Sequence, residues 1–330
     1  MIAANNQVGL FYNSGTYGNA TGASLQWIGE IQSHESVEKV GVFEKRYLGG
    51  GDRNIQQFVD GPLDFEANMM FHPQDWRMFI FALGSNVDAG SPSPYTHVIS
   101  EANGAGRYNG YTSGTLNPFL SFNVEDAQRY STGSNFVRNI SGAIVNTLTL
   151  AGTQGAILEV DLNYVASNVT FASGAATAVT EGTTRPFMFS DVIISLPSGT
   201  AIDPVESFSW KIDNKLDRKH YLNGSRQLIL PIPTERSYTV ELNVDNSAVN
   251  TKAFWDQYFI GGSTFNFMIA VDAADAGAGS RNAFMIMSGC KMVDMTSPSV
   301  LEGINSQKMT IKPLNCIINV NDTTLLYNPW

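Results

Sequence analysis

The sequence predicts a mainly β protein: two tandem antiparallel β-sandwich or partly closed barrel domains, each with one flanking α-helix. Two observations carry that expectation. The chain spells nearly the same series of segments twice, and most of those segments alternate apolar and polar residues or are short β-branched and aromatic runs. Collinear matches across most of a chain mean two copies of one domain, because a solenoid needs shorter units repeated at least three times.

The repeat runs in order. Leu25–Ile31, centred on Trp27, is answered by Phe208–Asp213, centred on Trp210. Next come the polar, glycine-bearing units Arg46-Tyr47-Leu48-Gly49-Gly50-Gly51-Asp52-Arg53 and His220-Tyr221-Leu222-Asn223-Gly224-Ser225-Arg226. Phe65-Glu66-Ala67-Asn68-Met69 pairs with Val240-Glu241-Leu242-Asn243-Val244, placing Glu66 and Asn68, like Glu241 and Asn243, on the polar face of a half-buried strand. Two tryptophan-centred apolar segments follow. Asp75–Gly84 and Ala253–Gly261 are the helices, with Asp75 or Asn250 at the N-terminal turn and Gly84 or Gly261 as the left-handed stop. Trp76, Phe79, Trp255 and Phe259 are their expected core contacts. Ile140-Ser141-Gly142-Ala143 and Met287-Ser288-Gly289-Cys290 each open a further run of strand formers. Ile157–Tyr164 alternates cleanly, with Glu159 and Asp161 on its wet side.

The expected division is a first domain over 1–171, a linker over 172–186 rich in small and polar residues, and a second domain over 187–330. The copies differ mainly between helix and next strand. There the first carries an insertion, residues 85–118, rich in Gly, Ser, Asn and Tyr; a packing or assembly loop, a surface decoration and a ligand lid are the alternatives.

With 330 residues, 43% hydrophobic and 15% charged, the chain is long enough for two buried cores. No apolar run approaches the roughly 20 residues of a membrane helix. Residues 1–6 lack the basic flank and apolar core of a signal peptide. A net charge of -10 with no Lys/Arg cluster argues against tight nucleic-acid binding. Cys290 and Cys316 are either two core side chains or one disulfide. His34, His72, His97 and His220 are too scattered for a metal set, so surface or capping roles are expected. Gly49-Gly50-Gly51 lacks the Lys of a phosphate loop, and Asp272–Gly277 lacks the ligand pattern of a calcium loop. No catalytic constellation and no cofactor or metal site is expected, so the chain reads as a structural protein rather than an enzyme. A second class is an extracellular two-module adhesin or glycan-binding filament protein, because Asn19, Asn139, Asn168, Asn223 and Asn321 stand in glycosylation sequons.

The segment order, with Phe208–Leu216, Arg236–Leu242 and Ser141–Leu150, resembles the tail tube proteins (major tail proteins) of long-tailed phages and related archaeal viruses. The resemblance covers almost the whole chain. It implies a virion tail component, made in the host cytoplasm, whose rings stack into a tube for the passing genome. It also implies that inner strands join across subunits into one barrel, and that the long loop after the first strand makes the ring-to-ring contact. Here those loops are Ser33–Asp60 and Asn214–Thr234, with Tyr47, Leu48, Gly49, Gly50, Arg53, Tyr221, Leu222, Asn223 and Arg226 as stacking candidates. A duplicated domain implies three chains per ring with pseudo-sixfold symmetry. Tape measure, tail terminator and baseplate or tip proteins are the implied partners, double-stranded DNA the non-specific cargo, and no membrane is involved. Glu66, Asn68, Glu241 and Asn243 are then candidates for the lumen lining, with a solvated outer face as the alternative and Glu159 with Asp161 as a rival set.

Overall fold

Strand-forming runs bounded by Gly, Pro and Asn become strands throughout a computed structural model. It describes residues 6–12, 25–45, 54–55, 57–90, 94–102, 120–129, 135–174, 176–197, 199–202, 204–222, 224–245, 255–275, 279–296 and 306–323. In the first half, β1 (Asn6–Tyr12), β2 (Gly29–Lys45) and β3 (Gln57–Pro73) lead into α1 (Arg77–Leu83). Then come β4 (Gly84–Ala89), β5 (Tyr95–Glu101), β6 (Phe122–Arg129), β7 (Asn135–Thr153), β8 (Glu159–Ala166) and β9 (Asn168–Ala172). The second half opens with a 3-10 turn at Phe189–Asp191, then β10 (Val192–Ser195), β11 (Val205–Asp213), and the short pair β12 (Leu216–Asp217) and β13 (Ile232–Pro233). β14 (Ser237–Asp245), a π-helical turn at Trp255–Ile260, β15 (Phe265–Asp275), β16 (Gly279–Thr296), β17 (Ser306–Lys312) and β18 (Asn315–Asp322) complete it.

All the named strand pairs are antiparallel, and the main sheet runs β2-β3-β8-β7-β11-β14-β17-β16-β18-β5-β4, open rather than closed into a barrel. The long strands β7 and β16 each serve two layers. The first part of β7 pairs with β6 and β9, and its second part with β8 and β11; β16 divides likewise between β15 with β18 and β17. The change of layer falls at Gly142 (φ 66) and Gly289 (φ 62). A residue with a Cβ is strained in that left-handed conformation, which is why Ser-Gly stands at both places. Ser141 and Ser288 accept matching backbone bonds there, from Ser167 N at 3.1 Å and Leu314 N at 3.1 Å.

Past Arg77, helix α1 is apolar on every side because it is enclosed: every residue from Met78 to Leu83 is buried. Gly84 ends it at φ 99, and Asp75 Oδ1 accepts from the Arg77 N–H at 3.0 Å. Trp76 lies 4.7 Å from the Phe187 ring, and Phe79 stacks on Trp210 of β11 at 5.6 Å. A first-half helix thus packs on a second-half strand, and the buried residues of both halves form one cluster. Asn214, 2% exposed, ties the same seam: its Nδ2 donates to the carbonyls of Ala82 (3.1 Å) and Val145 (3.0 Å), and its Oδ1 accepts from Arg236 Nε at 2.8 Å.

Four expectations need correction. The second tryptophan segment is a π-helical turn, not an α-helix, because the Gly261 N–H reaches back to the Asp256 carbonyl. Its left-handed stop is Gly262 (φ 64). Next, the insertion begins not as a loop but as a β4–β5 hairpin that adds to β18 of the other half. Finally, the matched tryptophans are not equivalent. Strands β2 and β11 carry the same bulge, between Ile31 and Ser33 and between Val205 and Ser207, which makes Ser36 the counterpart of Trp210. Trp27 precedes β2 and bonds Gln74 through its ring N–H.

Residues 176–187 carry no helix or strand, as a linker should, yet they are seated rather than loose. The Thr177 N–H and hydroxyl donate to the Glu125 carboxylate at 2.7 and 2.8 Å, and Arg185 pairs with Asp191 at 2.7 Å.

Candidate assembly surfaces

Across β3-β8-β7-β11-β14-β17, one face of the sheet is dry and the other polar. Met69, Leu162, Leu148, Trp210, Leu242 and Met309 point into the core. The opposite face carries Glu66, Asn68, Asp161, Asn163, Thr149, Ser209, Glu241 and Lys308, as alternation requires. Both candidate lumen sets therefore lie on one surface. Their ion pairing differs. Glu66 accepts from Arg218 at 2.8 Å and from Asn163 at 3.0 Å. Burial alone would raise its pKa, but the hydrogen bonds and charge of Arg218 outweigh this and hold it below the ordinary range. Glu241 pairs with Lys308 at 2.9 Å. Glu159 and Asp161 form no ion pair among the described residues.

The correspondence between the acidic positions is also shifted. Tyr164 and Ile311 lie equally far beyond Gly142 and Gly289, and their β3 and β14 partners are Ala67 and Val240. Glu241 is thus the counterpart of Asn68, one side-chain repeat from Glu66, and the face is unchanged.

From Gln57 to Asp64, β2 is the one named strand that β3 pairs with among the described residues, apart from a single bridge between Leu63 and Gln227, so the two strands extend as a ribbon past the main sheet. Val40, Val42, Phe43 and Phe58 on this arm are 52%, 51%, 60% and 63% exposed. Second-half residues brace its base: Arg226 Nε donates to the Gly61 carbonyl at 2.8 Å and His220 meets Asp64 at 3.1 Å. Tyr221 and Leu222 stay exposed beside it. Of the other stacking candidates, Tyr47, Leu48, Gly49, Gly50, Arg53 and Asn223 lie outside the described residues, as does the side chain of Trp255. Phe259 packs against the core, partly buried.

Sequence reasoning missed the charged clasp that holds the β4–β5 hairpin. His97 is fully buried between Asp88 (2.7 Å) and Asp322 of β18 (3.3 Å). Burial disfavours its charged form, but the bonds and charges of Asp322 and Asp88 prevail and raise its pKa. A raised pKa contributes stability that is complete below the ordinary value of about 6.5 and is lost as pH climbs through the folded value. The melting temperature is therefore expected to fall as pH rises above about 6.5, and His97→Gln should flatten that slope in pH-resolved thermal melts. The His34 side chain, 3% exposed, bonds Tyr164 at 2.7 Å and Asp126 at 3.3 Å. Nothing but the alternation of the flanking strand could have signalled burial of either histidine. The cysteines are free and buried, and burial pushes the Cys290 thiol up to about 11. No group of metal-ligating side chains occurs among the described residues.

Residues 43–309 match the family model described as phage tail tube protein. The chain belongs to the phage tail tube family. It is accordingly a structural component of a virion tail, which suits a surface made of sheet face, strand edges and an apolar arm. No curated protein matches it. Among solved structures, a Pseudomonas aeruginosa FadL homologue aligns over 97% of this tail tube chain and 88% of its own, at 8% identity and a TM-score of 0.12. So weak a likeness carries no argument about fold or function. No helix among the described residues is long and apolar enough to cross a membrane.

Proposed function

We propose that the chain polymerises into stacked rings that form the tail tube, with the genome passing through the bore. The strand order carries this reading. The series β2-β3-β8-β7 is followed without a break by β11-β14-β17-β16, so one chain holds two successive segments of a larger sheet. Neither the outer side of β2 nor that of residues 291–296 of β16 meets a strand among the described residues, and a sheet with open edges is satisfied by another copy at each end. The order supports tandem units over 1–171 and 187–330, joined through 172–186, and three chains then supply six units per ring. The polar face lines the bore in this arrangement, while tape measure, terminator and tip proteins meet the ends of the tube.

Electron microscopy of the purified protein tests the symmetry: three chains per layer are expected, and six would demote one unit to outer decoration. The arm is the stacking element. Phe43→Ser combined with Phe58→Ser removes exposed apolar surface without opening the core, so the melting temperature should hold while tubes give way to single rings. Full-length tubes from that variant would move the stacking contact elsewhere.

A further inference from the structure

The internal seam between β7 and β11 shows how one unit of this chain meets the next, and it can be transposed residue by residue onto the two open edges. Gly142 and Gly289 align β7 with β16, and both strands carry a register shift soon after, between Val145 and Thr147 and between Met292 and Asp294. Thr147 therefore corresponds to Asp294, and Thr149 to Thr296. The shared bulge of β2 and β11 makes Ser33 the counterpart of Ser207 and Lys39 the counterpart of Asp213. Across the internal seam Thr147 stands opposite Asp213, and Thr149 opposite Lys211.

We propose that copies of the chain join through β2 and residues 291–296 of β16 in this same register, so that Asp294 of one copy pairs with Lys39 of the next. The inference rests on the ring reading and adds to it the residue contacts between chains. Three observations support it. Residues 291–296 pair with β17 on one side, and their other side meets no strand among the described residues, as is true of the outer side of β2. Lys39 and Asp294 are both exposed and neither forms an ion pair among the described residues; Lys39 acts on Glu66 only through its field, so each keeps its charged group available to an opposite charge at the predicted contact. Asp64, the cross-strand neighbour of Lys39, is already engaged by His220 at 3.1 Å. Directly opposed charges favour one pairing, and like charges oppose it. A slip of one residue would turn the side chains to the wrong face. Val37 and Thr296, opposed in this register, add a pair of β-branched side chains on the polar face.

The test uses the full chain with paired cysteines, since Cys290 and Cys316 are buried and free. Under mild oxidation, Lys39→Cys with Asp294→Cys is expected to give chain-to-chain disulfides, while Val37→Cys with Asp294→Cys, one side-chain repeat out, is not. Cross-linking of the second pair instead of the first overturns the register and leaves the ring reading intact. If neither pair cross-links in rings seen by microscopy, the contact uses other edges and the proposal fails. Absence of rings or tubes from the unmodified protein would instead remove the reading on which it rests. A charge swap supplies an independent measurement. Lys39→Asp alone should raise the concentration for half-maximal assembly roughly fivefold, and adding Asp294→Lys should restore it. Normal assembly of Lys39→Asp and of Asp294→Lys, each alone, with no effect of the swap, would also overturn the ion pair.

Discussion

Trp76→Ala is expected to destabilise the folded chain by about 3–5 kcal/mol, the usual cost of removing a large aromatic side chain from a closed core. That is a large share of the roughly 5–15 kcal/mol that holds a domain folded. Trp76 is 1% exposed and touches both Phe79 and Phe187, at centroid distances of 5.5 and 4.7 Å. Phe79 in turn stacks on Trp210, so the cavity would open where the first-half helix meets the second-half strand. The loss should therefore appear as one cooperative transition moved to lower temperature. Leu222→Ala, at a fully exposed position, is the control and should leave the transition in place. An unchanged melt for Trp76→Ala would mean that this ring is solvent-facing in the protein as it exists in solution.

The strand content was legible because alternation is local. Residues 157–164 show their dry and wet faces in the order of letters alone, and β8 has the faces they predict. The two Ser-Gly pairs were visible as repeated punctuation, but their role needed partners far away. Gly142 and Gly289 are points where one strand passes from one layer to the other, which only the pairing with β6, β9, β15 and β18 reveals. The same limit misled the tryptophan match, since a bulge in each strand fixes the register and no propensity scale sees a bulge. For the candidate site, the polar face could be read from Glu66, Asn68, Glu241 and Asn243. That Glu66 is neutralised by Arg218 could not, because the arginine comes from a loop of the other half.

This last fact decides how the bore should be probed. Replacing Glu66 by lysine would set a second cation against Arg218 and disturb the base of the arm before it changed the bore. Asp161 and Glu159 are better positions, because both lie on the polar face of β8 and neither forms an ion pair among the described residues. If that face lines the bore, their carboxylates repel DNA phosphates and keep the genome from settling on the wall. Exposed charges act over about 8 Å at physiological salt, so the repulsion is felt only by DNA close to the wall. Glu159→Lys with Asp161→Lys should leave tubes correctly formed, since the dry face of β8 is untouched. Ejection should then slow, and raising the salt concentration should restore much of the rate. Genome release at the normal rate, independent of salt, from well-formed tails carrying both substitutions would place this face on the outside of the tube.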